Sequence, residues 1–279
     1  MTLIDPVALV EVSGIPCGRI HLFLISGPCV IEGPEVMKRT AETLGRIGAR
    51  LGVPVIFKSS FQKDNRSSAE YYRGPGLDEG LRILDQIRSE FGLPVMSDVH
   101  HLGQVAAAGQ VLDLIQIPAY LCMQTDLAEA VARTGKAVNI KRGQFLAPEN
   151  ISKPVKKIER MGNRRILVTE RGYTFGYNDL IVDPRSFHIM RQAGYPVVFD
   201  VTHAVRRYGI PSSDPRGGSR EYLPVLGRAG VAAGVDGLFI ECHPNPPEAR
   251  CDASSQMYLD DLEEYLKPLL EINAIVKEG

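Results

Sequence analysis

Eight short, mainly apolar segments recur along the chain, and an amphipathic stretch follows each of them. The segments are residues 22–26, 54–58, 94–98, 113–117, 137–141, 166–170, 197–201 and 237–241. Because they lack strict alternation of polar and apolar residues, they are typical of strands that are covered on both faces. Between them, apolar residues return at spacings of three and four, as at Met37, Ala41 and Leu44, which predicts helices. The alternation predicts a (β/α)8 barrel over residues 22–276.

The stretch before the first of these segments has a different pattern. Residues 8–21 alternate apolar and polar positions around Gly14 and Pro16, which predicts a short hairpin that closes one end of the barrel. We expect a single domain of residues 1–279, since no linker rich in Pro, Gly or Ser divides the chain. An open doubly wound sheet is the alternative fold, but the sequence has neither Gly-x-Gly-x-x-Gly after the first strand nor a phosphate-loop pattern.

Composition narrows the classes of function. With 279 residues, 44% of them hydrophobic, the chain suits one large α/β domain, and its net charge of −1 provides no general attraction for nucleic acid. Its five cysteines are scattered and odd in number, which favours a reducing cytoplasm over a disulfide-stapled fold. The N-terminal stretch lacks the pattern of a signal peptide, and no apolar run approaches the roughly 18 residues that a membrane helix needs.

Chemically active side chains collect at the ends of the predicted strands. The C-terminal ends of all strands in a parallel barrel face one mouth, so we expect these side chains to share one cavity. In chain order they are Cys29, Lys58, Asp98, His100, Gln116, Lys141, Arg171, His203 and Glu241. Lys141 and Arg171 follow strand cores without adjoining acids, which favours contact with an anionic substrate over structural ion pairs.

The second strand leads into a loop with many hydrogen-bond donors and few acids. Residues 54–68 contain three cations, Lys58, Lys63 and Arg66. Their polar companions are Ser59, Ser60, Asn65, Ser67 and Ser68. This set suits the oxygens of a phosphate or carboxylate group, although a solvated basic loop is the simpler alternative. Together with the cations at the fifth and sixth strands, the loop carries enough charge to hold a small phosphorylated acid.

Barrel closure makes the seventh, eighth and first strands neighbours. His203, Glu241 and Cys29 therefore fall on one side of the mouth, and Asp252 in the loop after the eighth strand is a fourth candidate ligand. Imidazole, carboxylate and thiolate groups suit Zn²⁺, Fe²⁺ or Mn²⁺. The spacing by itself also allows Cys29 to be a small buried side chain. Cys251, which precedes Asp252, is expected to be structural or incidental.

Seven motifs, in order along the chain, resemble one enzyme family. They include Gly-Pro-Cys-Val-Ile-Glu at 27–32, Phe-Lys-Ser-Ser-Phe-Gln-Lys at 57–63, Phe-Asp-Val-Thr-His at 199–203 and Glu-Cys-His-Pro at 241–244. The others lie at 116–127, 139–148 and 169–178. Together they are similar to the 3-deoxy-D-manno-octulosonate 8-phosphate synthase family over residues 22–275. The resemblance implies a (β/α)8 enzyme, usually a homotetramer.

The reaction implied by the resemblance joins phosphoenolpyruvate to arabinose 5-phosphate and water, and it releases inorganic phosphate. Its product serves the inner core of lipopolysaccharide. The resemblance implies that Lys58, Lys63, Lys141 and Arg171 hold phosphoenolpyruvate. It also implies that Asn65, Arg66 and Ser67 bind the sugar phosphate near a neighbouring subunit. The full set of expected substrate-binding residues is Lys58, Ser59, Ser60, Lys63, Asn65, Arg66, Ser67, Asp98, Gln116, Lys141, Gln144 and Arg171.

The family has a metal-dependent and a metal-independent branch. Cys29 stands where the metal-independent branch carries Asn, so the resemblance implies a divalent metal, Zn, Fe or Mn, and no organic cofactor. The implied ligands are Cys29, His203, Glu241 and Asp252. The expected catalytic residues are Cys29, Lys58, Lys63, Asp98, His100, Lys141 and His203. One departure is Arg206-Arg207, where the family commonly has Gln.

Two alternatives remain open at this point. A related synthase uses erythrose 4-phosphate as acceptor, but it usually reads Lys-Pro-Arg-Thr where this chain has Lys58-Ser59-Ser60-Phe61. A regulator that binds sugar phosphates without catalysis is the alternative of another class. The first differs in its acceptor, and the second would bind substrates without releasing phosphate.

Overall fold

A computed structural model describes residues 7–18, 21–175, 178–211 and 214–278 of the chain. The first two strands, β1 (Val10–Val12) and β2 (Ile15–Cys17), pair antiparallel. The turn between them has positive φ angles of 44° at Ser13 and 85° at Gly14, as a two-residue hairpin turn of this hand requires. The predicted hairpin is therefore confirmed, although positions 19 and 20 of its expected range lie outside the described residues.

Eight parallel strands form a closed barrel. The remaining strands are β3 (Phe23–Gly27), β4 (Val55–Lys58), β5 (Val95–Asp98), β6 (Leu114–Ile117), β7 (Ala137–Lys141), β8 (Ile166–Glu170), β9 (Tyr173–Thr174), β10 (Leu180–Ile181), β11 (Val197–Asp200), β12 (Gly237–His243) and β13 (Met257–Tyr258). In the barrel, β3 to β8 pair in sequence, β11 pairs with β8 and β12, and β12 pairs with β3. The predicted (β/α)8 barrel is confirmed.

Helices cover the outside of this sheet. They are α1 (Pro34–Leu51), α2 (Leu77–Phe91), α3 (Leu102–Val111), α4 (Thr125–Arg133), α5 (Ser152–Arg160), α6 (Arg185–Arg191), α7 (Val201–Ala204), α8 (Leu223–Ala232) and α9 (Leu262–Glu278). Helix α1 begins with Pro34 in its first turn and ends at Gly52 in the left-handed conformation, as helix termini favour. It buries Met37, Ala41 and Leu44, the spacing that the sequence predicted.

The hairpin lies across the N-terminal end of the barrel. Arg165, which precedes β8, donates from Nη2 to the Glu11 carbonyl at 2.9 Å. Ser13 Oγ donates to Asp113 Oδ1, just before β6, at 2.6 Å. Val10 is buried in the same core as the barrel strands. These contacts confirm that the hairpin closes one end, so the opposite end is left for chemistry.

No helix within the described ranges has both the length and the apolar character needed to cross a lipid bilayer.

Candidate active site

The predicted strand-end side chains surround one connected cleft at the C-terminal mouth of the barrel. Its inner pocket, of about 40 Å³, is lined by eight of the expected site residues: Lys58, Lys63, Asn65, Asp98, Gln116, Lys141, Arg171 and His203. An outer cavity of about 630 Å³ is lined by three more: Arg66, Ser67 and Asp252. Of the expected residues, Lys63, Asn65, Arg171 and His203 line both spaces. The structure therefore joins a small cationic pocket to a wider opening.

Lys58 lies at the end of β4 and is only 1% exposed. Its Nζ donates to Glu241 Oε1 at 2.9 Å, the Cys29 carbonyl at 3.0 Å and Ser60 Oγ at 3.1 Å. Glu241 comes from β12, so Lys58 has a buried acidic partner that its own loop does not supply. The pairing stabilises a buried charge that would otherwise be costly.

Lys141 at the end of β7 also has a buried acidic partner, although no acid adjoins it in the sequence. Its Nζ forms a buried ion pair with Asp200, the last residue of β11, and lies 3.6 Å from the centre of the Phe239 ring. The same Asp200 carboxylate is 2.8 Å from His203 Nδ1. Asp200 was not among the predicted site residues, although its position at a strand end could have identified it.

Asp98 ends β5, and His100, two residues later, lies close to it. Asp98 Oδ1 accepts a hydrogen bond from Ser60 Oγ, and His100 Nε2 lies 3.3 Å from Asp98 Oδ2. Burial by itself raises the pKa of Asp98, but the Lys63 and Lys58 ammonium groups outweigh it and hold that pKa well below its usual range. Burial lowers the pKa of His100. At neutral pH the pair is therefore a carboxylate beside a neutral imidazole.

Arg171 is held by a buried network at the end of β8. Glu170 Oε1 accepts from the backbone N–H groups of Arg171 at 2.8 Å and Gly172 at 2.6 Å, while the Glu170 carboxylate pairs with the fully buried Arg142. The Arg171 guanidinium donates from Nη2 to the Tyr208 hydroxyl at 3.0 Å. With these contacts, Arg171 lines both the inner pocket and the outer cavity.

Two amides and a hydroxyl complete the predicted set, and of these only Gln116 lines the inner pocket. Gln144 Nε2 donates to the Tyr208 hydroxyl at 3.3 Å, and its buried Oε1 has no hydrogen-bond partner among the described residues. Gln116 Oε1 accepts from Asn139 Nδ2 at 3.2 Å. Ser59 is fully buried with its Oγ unpaired in the described parts of the chain. Tyr208 is a site residue that no spacing in the sequence indicated.

The four expected metal ligands lie close together, with Asp252 between Cys29 and His203. Asp252 Oδ2 lies 3.4 Å from Cys29 Sγ and 3.5 Å from His203 Nε2, while Glu241 Oε2 is 3.8 Å from the same imidazole nitrogen. Two groups of possible ligands result, Cys29 with Cys251 and Asp252, and His203 with Glu241 and Asp252. Within each group the ligand atoms all lie within 4.8 Å of one another.

Cys251, expected from the sequence to be structural or incidental, lies beside Cys29 and Asp252. Its Sγ is 2.8 Å from Cys29 Sγ and accepts a contact from Arg66 Nη1 at 2.7 Å. Arg66 also donates from Nη2 to the Arg250 carbonyl at 3.2 Å. Cys251 therefore connects the ligand cluster with the cation that lines the outer cavity. Only its position next to Asp252 could have indicated this.

The chemistry of the ligand cluster fits a divalent metal ion. Glu241 Oε2 is buried and has no hydrogen-bond partner among the described residues, so one acceptor faces the cluster unused. Burial raises the pKa of the Cys29 thiol, so its thiolate form requires a cation nearby. Burial also raises the pKa of Glu241, but Lys58 and His203 outweigh it and lower that pKa to about 2. A sulfur, an imidazole nitrogen and two carboxylates are a ligand set that Zn²⁺ or Fe²⁺ accepts.

Arg206, at the point where the sequence departs from the resembled family, borders the outer cavity. Its Nη1 donates to the Gly217 carbonyl at 2.6 Å and to Ser254 Oγ at 2.8 Å, and its Nε lies 3.6 Å from Asp252 Oδ1. Arg207 points away and pairs with Asp179 at 2.7 Å. Of the two arginines, only Arg206 therefore contacts the ligand cluster.

Comparison with known proteins gives consistent matches over almost the whole chain. Residues 9–278 match the sequence model of the DAHP synthetase I family. A protein of Fusobacterium nucleatum subsp. nucleatum named 2-dehydro-3-deoxyphosphooctonate aldolase is 51% identical over 276 residues, covering 99% of each chain. Proteins of the same name from Trichlorobacter lovleyi and Acidithiobacillus ferrooxidans are each 52% identical, covering 93% and 95% of this chain and 95% and 94% of the relatives.

Proposed function

The chain belongs to the DAHP synthetase I family, and within it we propose that this protein is an enzyme with 2-dehydro-3-deoxyphosphooctonate aldolase activity. It condenses phosphoenolpyruvate with arabinose 5-phosphate and water, giving 3-deoxy-D-manno-octulosonate 8-phosphate and phosphate for lipopolysaccharide synthesis. The observation that carries this proposal is the cluster of four buried cations, Lys58, Lys63, Lys141 and Arg171, around the inner pocket. Their charge suits one small, highly anionic substrate.

The inner pocket is the proposed phosphoenolpyruvate site. Lys58 and Lys141 already have carboxylate partners, so their ammonium groups are fixed in place before substrate arrives. Lys63 differs, since its Nζ has no hydrogen-bond acceptor among the described residues, while the nearby Cys29 and Asp98 raise its pKa against the effect of burial. Lys63 is therefore a charged donor available to the substrate. Fixed cations of this kind hold the substrate in the orientation that the reaction requires.

The outer cavity is the proposed site for the sugar phosphate. Asn65, Arg66 and Ser67 line it, and a guanidinium with a hydroxyl and an amide suits a terminal phosphate. Asn65 and Ser67 are exposed, which leaves them available to a second subunit in the proposed homotetramer. The cavity volume of about 630 Å³ is large enough to hold a five-carbon sugar phosphate.

The proposed metal ligands are Cys29, His203, Glu241 and Asp252, and Zn, Fe or Mn fits them. A divalent ion held by these residues would polarise the aldehyde oxygen or would lower the pKa of the attacking water. The protein holds these ligands on β12 and in the segments that follow β3, β11 and β12, so they meet at one side of the mouth.

Carbon 3 of phosphoenolpyruvate attacks the sugar aldehyde, water adds at carbon 2, and phosphate leaves by carbon–oxygen cleavage. Asp98 and His100 are the proposed residues for proton transfer, because a charged carboxylate and a neutral imidazole stand 3.3 Å apart beside the inner pocket. Ser60 and Lys63 hold Asp98 ionised. Gln116, Gln144 and Ser59 supply neutral hydrogen-bonding groups around the substrates.

The related synthase that uses erythrose 4-phosphate is the competing enzyme. Two observations favour arabinose 5-phosphate: the names of relatives about half identical to this chain, and Lys58-Ser59-Ser60-Phe61 in place of Lys-Pro-Arg-Thr. A binding protein without catalysis is disfavoured by the paired acid and base next to the cations. We further propose that the hairpin and barrel form one domain, since they share one hydrophobic core, and that the enzyme works in the cytoplasm, where its free cysteines stay reduced.

The test is a coupled assay of phosphate release from phosphoenolpyruvate, with arabinose 5-phosphate or erythrose 4-phosphate as acceptor and with Zn²⁺, Fe²⁺ or Mn²⁺ supplied. We expect phosphate release with arabinose 5-phosphate and little with erythrose 4-phosphate. The opposite preference would reassign the enzyme to the competing reaction. Binding of both substrates without phosphate release would favour the non-catalytic alternative.

A further inference from the structure

Asp200 contacts both halves of the site with a single carboxylate. It ends β11 and is fully buried. Its Oδ1 accepts from the His203 backbone N–H at 2.9 Å and from the Thr202 hydroxyl at 3.3 Å. Its Oδ2 lies 2.8 Å from His203 Nδ1 and also pairs with Lys141 Nζ. One group therefore contacts a cation of the inner pocket and an imidazole of the ligand cluster.

We propose that Asp200 is a shared positioning residue, which orients Lys141 toward the first substrate and His203 toward the metal ion. The inference rests on the proposed function, because it takes phosphoenolpyruvate as the occupant of the inner pocket. Asp200 touches neither reactant, since the inner pocket is lined by Lys141 and His203 and not by Asp200. Its effect is therefore indirect, through the two side chains that it holds.

The contact at His203 Nδ1 determines which ring nitrogen faces the cluster. A carboxylate accepts the Nδ1 proton, and Nε2 is then the nitrogen with a free lone pair. Nε2 is the atom that lies 3.5 Å from Asp252 Oδ2 and 3.8 Å from Glu241 Oε2. The ring therefore presents a metal-binding nitrogen to the cluster because Asp200 occupies the other side.

The contact at Lys141 fixes an ammonium group that has few other partners. Lys141 Nζ packs over the Phe239 ring and is 3.5 Å from His203 Nδ1, so Asp200 is the one anionic hydrogen-bond acceptor that the described residues place against it. Lys58 and Arg171 line the same pocket and repel Lys141. Without the Asp200 carboxylate, the Lys141 ammonium would move away from its place in the pocket wall.

A purely structural role for Asp200 is the alternative, because its side chain also caps the short helix α7. The substitution Asp200→Asn separates the two roles. The carbonyl oxygen of the new amide still accepts from the His203 backbone, so the cap remains. The amide nitrogen takes the place of Oδ2, so a hydrogen-bond donor then faces two other donors, His203 Nδ1–H and Lys141 Nζ. His203 is then expected to carry its proton on Nε2, and Lys141 loses its acceptor. If Asp200 only caps the helix, the substitution should not change the affinity for either ligand. If Asp200 positions His203 and Lys141, the affinities for the metal ion and for phosphoenolpyruvate should both fall.

The experiment compares metal-free wild-type protein with Asp200→Asn and with a control, Asp236→Asn. Asp236 is also a buried aspartate between two cations, Arg191 and Lys277, but lies at the opposite end of the barrel. Zn²⁺ affinity is measured by competition with a chromophoric chelator, and phosphoenolpyruvate affinity by calorimetry. Asp200→Asn should weaken Zn²⁺ binding about 10 to 100-fold and phosphoenolpyruvate binding about tenfold. Asp236→Asn should change neither affinity of the folded protein by more than about twofold.

The outcomes separate the hypotheses. Unchanged affinities in Asp200→Asn would reduce Asp200 to a helix cap, and a loss confined to one ligand would overturn the shared role. If wild-type protein does not bind phosphoenolpyruvate, the proposed function fails. The Zn²⁺ affinities of wild-type protein and Asp200→Asn then decide whether Asp200 positions His203. Should Asp200→Asn not fold, nitrogen NMR of histidine-labelled wild-type protein decides. His203 carrying its proton on Nδ1 supports the inference, and a proton on Nε2 contradicts it.

Discussion

The two ends of the barrel use the same kinds of side chain in opposite ways. At the N-terminal end, Asp236 accepts from Arg191 at 2.6 and 2.9 Å, from Lys277 at 2.7 Å and from the Val197 backbone at 2.8 Å. At the mouth, Glu241 is equally buried, yet its Oε1 binds Lys58 while its Oε2 has no hydrogen-bond partner among the described residues. The first network is complete and the second is not.

This difference indicates which end of the barrel binds a ligand. Buried polar atoms are normally paired, so unpaired ones indicate a place that a ligand completes. Ser59 Oγ and Gln144 Oε1 are further unpaired atoms at the mouth, in the parts of the chain that the structure describes. We therefore expect substitutions at the mouth to remove activity and substitutions at the closed end to remove stability.

The largest effect is expected when the ligand cluster loses its sulfur. Cys29→Ala should reduce phosphate release below detection in a coupled assay, because the metal loses its thiolate ligand. Prolonged treatment of wild-type protein with a chelator should have the same effect, and added metal should restore only wild-type protein. The control is Cys242→Ala, which removes a buried thiol 3.3 Å from Ser26 Oγ and should keep its turnover. Chelator-resistant activity would contradict the metal assignment.

A second comparison removes one cation from each end. Lys58→Met should lower kcat by about 10² to 10³, because it removes a fixed donor from the substrate pocket. Arg191→Met should lower the free energy of unfolding by about 3 to 5 kcal/mol while the folded fraction stays active, because it leaves Asp236 with less compensation. Urea unfolding and initial rates distinguish the two effects. Near-normal turnover in Lys58→Met would remove this lysine from the proposed site.

A smaller effect is expected in the outer cavity. Arg66→Ala should raise the KM for arabinose 5-phosphate about 10 to 100-fold, because a charged hydrogen bond to phosphate contributes about 1.5 to 3 kcal/mol. The KM for phosphoenolpyruvate should stay within about twofold of the wild-type value. Arg207→Ala is the matched control, since Arg207 pairs with Asp179 instead. Equal changes in both KM values would contradict the division into inner and outer sites.

The smallest effect is expected at the hairpin that closes the N-terminal end. Gly14→Ala should lower the free energy of unfolding by about 1 to 2 kcal/mol, because φ at this position is 85°. Neither KM should change, as the turn lies at the opposite end from the cleft. Thermal or urea unfolding together with initial rates provides the check. A change in KM without a change in stability would show that the two ends are coupled.

The strand pattern predicted most of the fold for a physical reason. Strands such as Ala137–Lys141 and Ile166–Glu170 are covered on both faces, so their apolar runs end where the strands end. That rule also located Lys58, Lys141 and Glu241 at the mouth. The sequence could not show that Lys58 pairs with Glu241, because the two residues meet only once the barrel has closed.

Each residue that sequence reasoning missed has a partner that is distant in the chain. Asp200 contacts Lys141 on β7, Tyr208 contacts Arg171 at the end of β8, and Cys251 contacts Cys29 after β3. None of these pairs belongs to a local motif, and side chains in loops have no periodicity that predicts their direction. The residue types at the mouth were therefore predictable, whereas their partners were not.

The most direct test is anomalous X-ray diffraction from crystals of protein that was purified without chelators. We expect one anomalous peak per chain, which marks a metal ion bound by Cys29 Sγ, His203 Nε2, Glu241 and Asp252. A peak that excludes Cys29, or a metal bound elsewhere in an active enzyme, would contradict this expectation.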